Sequence, residues 1–213
     1  MDIYASDEEK GEDIKRWWRE NGQSVIVGFV LGAIVIFGGR YWIDYKQMQA
    51  EKASVTYQHV SQAIQQKKVD VAKELTQTLF SDYSKTPYAI FAAFTMAAQA
   101  VNDSDSESAK LYLQWISDHA SLSGHLELAR LRLAKLLVDE QQYQQALALA
   151  EQSTSASFSS LFAELRGDIL IAMNNRPDAR AAYQVAINNL EAGAPRVAIL
   201  QVKLDDLAVE NDG

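Results

Sequence analysis

The feature that most constrains this chain is residues 21–39, NGQSVIVGFVLGAIVIFGG, a run of 19 residues without a charge between Glu20 and Arg40. As a helix rising 1.5 Å per residue it is about 28 Å long, close to the hydrocarbon thickness of a bilayer. Its ten large apolar side chains, from Val25 to Phe37, together favour insertion by about 3–6 kcal/mol before the Gly and Asn discounts. Trp17 and Trp18 on one side and Tyr41, Trp42 and Tyr45 on the other stand where interfacial aromatic belts form. A cleaved signal peptide does not fit. The preceding 20 residues carry seven acids, and Arg40-Tyr41-Trp42 replaces a small-x-small cleavage site. A helix buried in a soluble protein has no need of aromatics at both ends. The reading is therefore an acidic cytoplasmic leader over 1–20, a membrane helix over 21–43 and a domain over 44–213.

Orientation rests on a thinner difference. Lys10, Lys15, Arg16 and Arg19 precede the span, against Arg40, Lys46 and Lys52 after it. The tight cluster Lys15-Arg16-Trp17-Trp18-Arg19 favours a cytoplasmic N-terminus, and a long downstream domain crosses largely regardless of its charge. Residues 1–13, with six acids and one Lys, are too polar to bury a core and are expected to be disordered. Gly28 and Gly32 form a GxxxG pair on one helix face, which either admits a partner helix closely or reflects the tolerance of apolar segments for Gly.

Composition narrows the rest. Acidic residues outnumber basic ones 28 to 20, for a net charge of −8, which argues against a general nucleic-acid binder. Ten Gly and three Pro are too few for the frequent turns of an all-β fold, so long helices are expected. Cys is absent, excluding disulfides, a thiolate zinc site, a cysteine nucleophile and a lipoprotein anchor.

Behind the span, apolar spacing is helical throughout. Turn signals divide it into segments near 41–66, 71–80, 88–101, 106–119, a pair between 125 and 152, then 161–173, 178–190 and 196–209. Ala134 aligns with Gly167 and Ala146 with Ala179 at the same offset of 33, and Ala97 and Ala109 keep the same separation of 12 one unit earlier. A unit around Ala72 is less regular, 37 residues from Ala109. A period near 34 is that of stacked helical hairpins. The pattern resembles the tetratricopeptide repeat: Gly167 followed by Ala179-x-x-x-Tyr183 and Ala186 is the best match, with Pro177 opening the second helix. It departs from that pattern in lacking the early Trp of each unit and in placing Arg166 at a usually apolar position. The fold class is thus all-α, a single N-terminal transmembrane helix followed by a tetratricopeptide-like helical-repeat solenoid. Val197, Leu200, Val202, Leu204 and Leu207 are expected to cap the last hairpin, with Lys203, Asp205 and Asp206 outside, and residues 211–213 to fray.

No carrier of catalysis is visible. His59, His119 and His125 lack metal-pair spacing, and no phosphate loop, nucleophile elbow or zincin motif is present; no enzyme activity, cofactor, metal or small-molecule substrate is expected. Repeats of this kind present a groove made by their first helices. By register, Phe91, Phe94, Ala98, Leu131, Lys135, Glu164, Asp168 and Ile171 face it. Carboxylate-clamping tetratricopeptide domains need Lys and Asn there. Phe94, Leu131 and Glu164 occupy the places of the first cations, which disfavours an acidic C-terminal peptide. A mixed apolar and acidic groove suits an extended polypeptide or a partner helix; the alternative is that Phe91 and Phe94 fill core between hairpins.

The whole layout resembles the YfgM family of inner-membrane proteins. The resemblance covers nearly the full chain and rests on Ile14-Lys15-Arg16-Trp17-Trp18-Arg19-Glu20-Asn21-Gly22, the span after it, the degenerate repeats, and the closing Leu200-Gln201-Val202-Lys203-Leu204-Asp205-Asp206-Leu207. It implies a periplasmic C-terminal domain and association with the SecYEG translocon and the anchored chaperone PpiD, assisting emerging polypeptides. It also implies a link to the Rcs stress response through its cytoplasmic response regulator. Two functions follow as expectations: a translocon scaffold acting through the repeats, or a signalling regulator acting through the leader.

Overall fold

The structure, a computed structural model, describes residues 7–153, 155–191 and 193–208. Among them every regular element is helical: α1 (Asp7–Gln65), α2 (Val69–Asp82), α3 (Pro87–Asn102), α4 (Ser106–His119), α5 (Ser123–Asp139), α6 (Tyr143–Glu151), α7 (Ser159–Ala172), α8 (Arg176–Asn188) and α9 (Pro195–Ala208), with a 3-10 turn at Ala156–Phe158 before α7. The chain divides into two units, residues 1–51 and 52–213.

In the first unit, the stretch between Val25 and Phe37 presents its large apolar side chains outward; Phe29 and Val35 are 79% and 73% exposed. Of the described helices, α1 is long and apolar enough to cross a membrane. Trp17 and Trp18 lie 6.5 Å apart, as do Trp42 and Tyr45, and Lys46 sits 5.3 Å from the Trp42 ring. Aromatic and cationic groups therefore flank the apolar stretch at both ends. The expectation of a disordered leader fails for residues 7–13, which are helical. Polarity denies that stretch a core but not a helix: it has no Pro, and acids near a helix N-terminus meet the positive end of the dipole. Arg16 adds an ion pair with Asp13 at 2.8 Å. The helix that holds the expected span runs on past residue 43 to Gln65, as no Gly or Pro interrupts residues 44–65. The leader's residues 1–6 and the expected fraying end 211–213 lie outside the described residues.

The second unit stacks hairpins. The end of α1 shares a core with α2 and α3 through Ala53, Val60, Ala72, Leu79, Ala89 and Met96. Then α3 pairs with α4, α5 with α6 and α7 with α8, each first helix also packing on the second helix before it, and α9 closes on α8. The small residues expected at the crossings are buried: Ala97, Ala109, Ala134, Ala146 and Ala179 are at most 2% exposed. The first hairpin obeys the same spacing, with Val60 and Ala72 both fully buried 12 residues apart.

The hairpin turns repeat as well. Lys67, Ser104, Gln141 and Asn174, 37, 37 and 33 residues apart, all take left-handed backbone with φ of 58–60°. Each turn closes with the same pair of bonds, as in Gln141 N–H to the Val138 carbonyl at 2.9 Å and Gln142 N–H to the Leu137 carbonyl at 2.8 Å. This is the Schellman ending of a helix, here built without Gly. Pro87 and Pro177 occupy first-turn positions, and the Asp105 and Asn175 side chains cap α4 and α8.

Candidate functional site: the first-helix face

The first helices α3, α5 and α7 present the face on which the groove residues were expected, and the structure sorts those residues into three groups. At one end is an aromatic patch. Phe91 is 37% exposed and its ring lies 6.0 Å from Tyr57, 6.1 Å from Tyr88 and 5.8 Å from His125. Phe94 is half-buried against the central core, 6.3 Å from His125, with the Arg132 guanidinium 4.9 Å from its ring. The two readings of these phenylalanines thus divide between them: Phe94 fills core and Phe91 remains open. Leu131, expected to line the groove, is 6% exposed and belongs to the central core, because it points between α5 and its neighbours.

The middle of the face is an open cleft of about 310 Å³. Ala97, Ala98, Val101 and Asn102 of α3, Leu113 of α4, and Arg132, Lys135, Leu136 and Asp139 of α5 line it. Ala98 and Lys135 are exposed there as expected. A second cleft of about 470 Å³ lies across α4, α5 and α6, beside the exposed Leu111.

The third group is closed by the chain itself. Lys203 of α9 donates to Glu164 at 2.9 Å and to Asp168 at 2.6 Å, and Arg196 donates to the other oxygen of Glu164. Tyr183 of α8 donates its hydroxyl to Asp168 at 2.7 Å and lies under the Lys203 ammonium, 5.3 Å from the ring centre. Burial raises the Glu164 carboxyl, but Lys203 and Arg196 outweigh it and hold the group below its ordinary range. Burial lowers Lys203, and its bonds to Asp168 and Glu164 more than reverse that. Burial and the bond to Asp168 raise Tyr183, keeping its proton in place. Ile171 is half-buried against the last core, with Leu200, Leu204 and Leu207 of α9. Lys203 is therefore not on the wet side of the cap, and Val202, expected to cover the hairpin, is 59% exposed. Leu200, Leu204 and Leu207 fix the rotation of α9, and that rotation turns Lys203 inward.

Gly167 explains how Tyr183 reaches Asp168. A Cβ at Gly167 would stand 2.8 Å or less from three ring carbons of Tyr183. Only glycine lets the ring lie flat on α7 with its hydroxyl at the carboxylate. Gly28 and Gly32 have open space around them. Among the described residues no group of His, Asp or Glu is arranged to hold a metal.

The open part of the face thus carries Phe91 and two cations, Arg132 and Lys135, against one acid, Asp139, while Glu164 and Asp168 are already paired with α9. Arg132, Arg196, Tyr57, Tyr88 and His125 were not anticipated. Arg132 had a signal, being one residue from Leu131 and one turn from Leu136 on the same helix, while Arg196 is separated from its partner by 32 residues.

Comparison with known proteins agrees with this architecture. The tetratricopeptide repeat-like domain family matches residues 15–209. A protein of Escherichia coli (strain K12) called ancillary SecYEG translocon subunit is 27% identical over 98% of this chain and 100% of its own length. Proteins of the same description from Haemophilus influenzae and Aggregatibacter actinomycetemcomitans are each 29% identical, over 87% and 97% of this chain and 91% and 100% of their own lengths. No solved structure gives a significant match. With its apolar N-terminal helix, its four repeated turns and relatives alike from end to end, the chain belongs to the tetratricopeptide repeat-like domain family and, within it, to the YfgM group.

Proposed function

We propose that this protein is a non-enzymatic, membrane-anchored accessory of the Sec translocon. Its first-helix face holds partner proteins or emerging polypeptides on the periplasmic side. The observation that carries the reading is that face itself, where the exposed Phe91, with half-buried Tyr57 and Tyr88 beside it, and a cleft are left open by the packing of a domain whose end-to-end relatives are translocon subunits. Aromatic and Arg side chains beside an apolar cleft are the kinds of group that dominate binding of polypeptides. Anchoring through residues 21–43, with Trp17, Trp18, Trp42 and Tyr45 at the interfaces, keeps the domain at the channel mouth and raises its effective concentration there. The Gly28–Gly32 face gives room for lateral contact with translocon helices or with the anchor of PpiD, the partner that the family resemblance implies.

Topology is the first test. The chain has no Cys, so Ser157→Cys, at an exposed position, supplies a single thiol. A membrane-impermeant maleimide labels it in intact spheroplasts if the domain is periplasmic; protection until lysis overturns the localisation. Deleting residues 1–13 separates the scaffold from a cytoplasmic regulator of the Rcs response. The scaffold still co-purifies with SecYEG, whereas a regulator loses its output.

A further inference from the structure

The α7–α9 step shows how this face is completed when acid and cation are both supplied by the chain. Glu164 and Asp168, one turn apart on α7, receive Arg196 and Lys203. The matching positions on α5 are Leu131 and Lys135, and on α3 they are Phe94 and Ala98. At the α3–α5 step the pattern is therefore left half built. α5 brings Arg132 and Lys135 to the cleft, and α3 offers Ala98 where α7 carries Asp168. Neither Arg132 nor Lys135 makes an ion pair among the described residues, in contrast to Lys110, Arg130, Arg196 and Lys203. Asp139 at the rim leaves the cleft one positive charge in excess. What the site lacks is a carboxylate for its second cation, and its lining of Ala97, Val101, Leu113 and Leu136 is apolar.

We infer that the α3–α5 cleft binds an acidic side chain within an extended segment of another protein, with an apolar side chain of the same segment resting on Phe91. The inference rests on the reading of this face as a polypeptide-binding surface and names what it selects. A carboxylate beside two cations over apolar side chains gains charge-assisted bonds that are stronger there than in open water. Phe91 and Ala98 are seven residues apart on α3, about 10 Å of helix. A segment in extended polyproline-II conformation, rising about 3.1 Å per residue with three residues per turn, covers that in about three residues and keeps both side chains on one side. The preferred pattern is an apolar residue and an acidic residue separated by two others. A C-terminal carboxylate is not required, which fits the absence of cations at Phe94, Leu131 and Glu164.

The test uses the full-length protein in lipid nanodiscs and fluorescence anisotropy of a fluorescein-labelled Gly/Ser peptide carrying an internal Phe-Ser-Ser-Glu. Replacing that Glu by Gln is expected to weaken binding about tenfold, and Arg132→Ala or Lys135→Ala to do the same. Ala98→Glu places on α3 the acid that α7 carries; it should abolish peptide binding without lowering the melting temperature. Equal binding of the Glu and Gln peptides, or full binding by a folded Ala98→Glu variant, overturns the inference. Competition by inorganic phosphate as effective as by unlabelled peptide also overturns it, since the cleft would then take any anion. If Glu and Gln peptides bind alike while cross-links from Phe91 to other proteins persist in cells, the selectivity fails and the binding face stands. Loss of those cross-links removes both.

Discussion

Gly167→Ala should destabilise the repeat domain, although replacing Gly by Ala inside a helix ordinarily stabilises by about 1 kcal/mol. The sign reverses because three ring carbons of Tyr183 stand 2.8 Å or less from the new Cβ. The ring cannot easily give way. It is 3% exposed, its hydroxyl is bonded to Asp168 at 2.7 Å, and Lys203 lies over its face. Overpacking costs about 1–3 kcal/mol, and loosening a hydrogen bond to a charged carboxylate about 1.5–3 kcal/mol more. Set against the helix gain, the net loss is about 1.5–5 kcal/mol, or a fall of about 5–15 °C in Tm at about 3 °C per kcal/mol for a unit of this size. Circular-dichroism melts of the full-length protein in mild detergent measure it. Gly124→Ala is the control: it is also helical but has nothing within 4 Å of the added Cβ, so it should leave Tm unchanged or raise it. Combining Gly167→Ala with Tyr183→Leu should cost less than the sum of the two. A Gly167→Ala variant that melts at or above the parent, or strict additivity with Tyr183→Leu, would refute the close-approach argument.

Other outcomes follow from the same geometry. Gln141→Gly relieves a left-handed non-Gly residue at a helix end and should raise stability by about 1 kcal/mol in a urea titration. Lys203→Met removes the bonds to Glu164 and Asp168 and should cost about 1–2 kcal/mol, seen as faster proteolysis within α9. The pH dependence has a definite sign: Glu164 titrates below its ordinary 4.5, so its contribution is present above that pH and lost as pH falls through the lowered value. Lys203 titrates above its ordinary 10.5, so its contribution is present below that pH and lost as pH rises through the raised value. Protection of α9 from protease should therefore be flat between these limits and fall outside them. Gly28→Leu with Gly32→Leu meets open space and should leave Tm unchanged while reducing co-purification with SecYEG severalfold.

Helix order and most ends were legible because local chemistry marks them. Pro87 and Pro177 open helices, and the separation of 12 between Ala97 and Ala109, Ala134 and Ala146, and Gly167 and Ala179 reports a repeated crossing. The first hairpin was obscured because its crossing residue is Val60 rather than a small one. The repeated left-handed turns were hidden by their residue types, since Lys67, Ser104, Gln141 and Asn174 carry no Gly signal. Periodicity placed Glu164 and Asp168 on one face of α7 but could not say what covers them, because Arg196 and Lys203 come from 32 to 39 residues away. The face therefore read as mixed apolar and acidic, while its open cleft carries Arg132 and Lys135 against Asp139. Leu131 illustrates the converse limit: register put it on the first-helix face with Phe94 and Glu164, but as a leucine it packs into the central core and is 6% exposed.

The most direct test of polypeptide docking on the first-helix face is site-specific photo-cross-linking in growing cells. A benzophenone amino acid is placed at Ala98, exposed in the α3–α5 cleft, and separately at Leu111, which is 71% exposed on α4. Docking on the first-helix face predicts adducts with SecYEG or with secretory chains from Ala98 that are absent from Leu111. The same adducts from both positions, or none from Ala98 while the protein still co-purifies with the translocon, would contradict it.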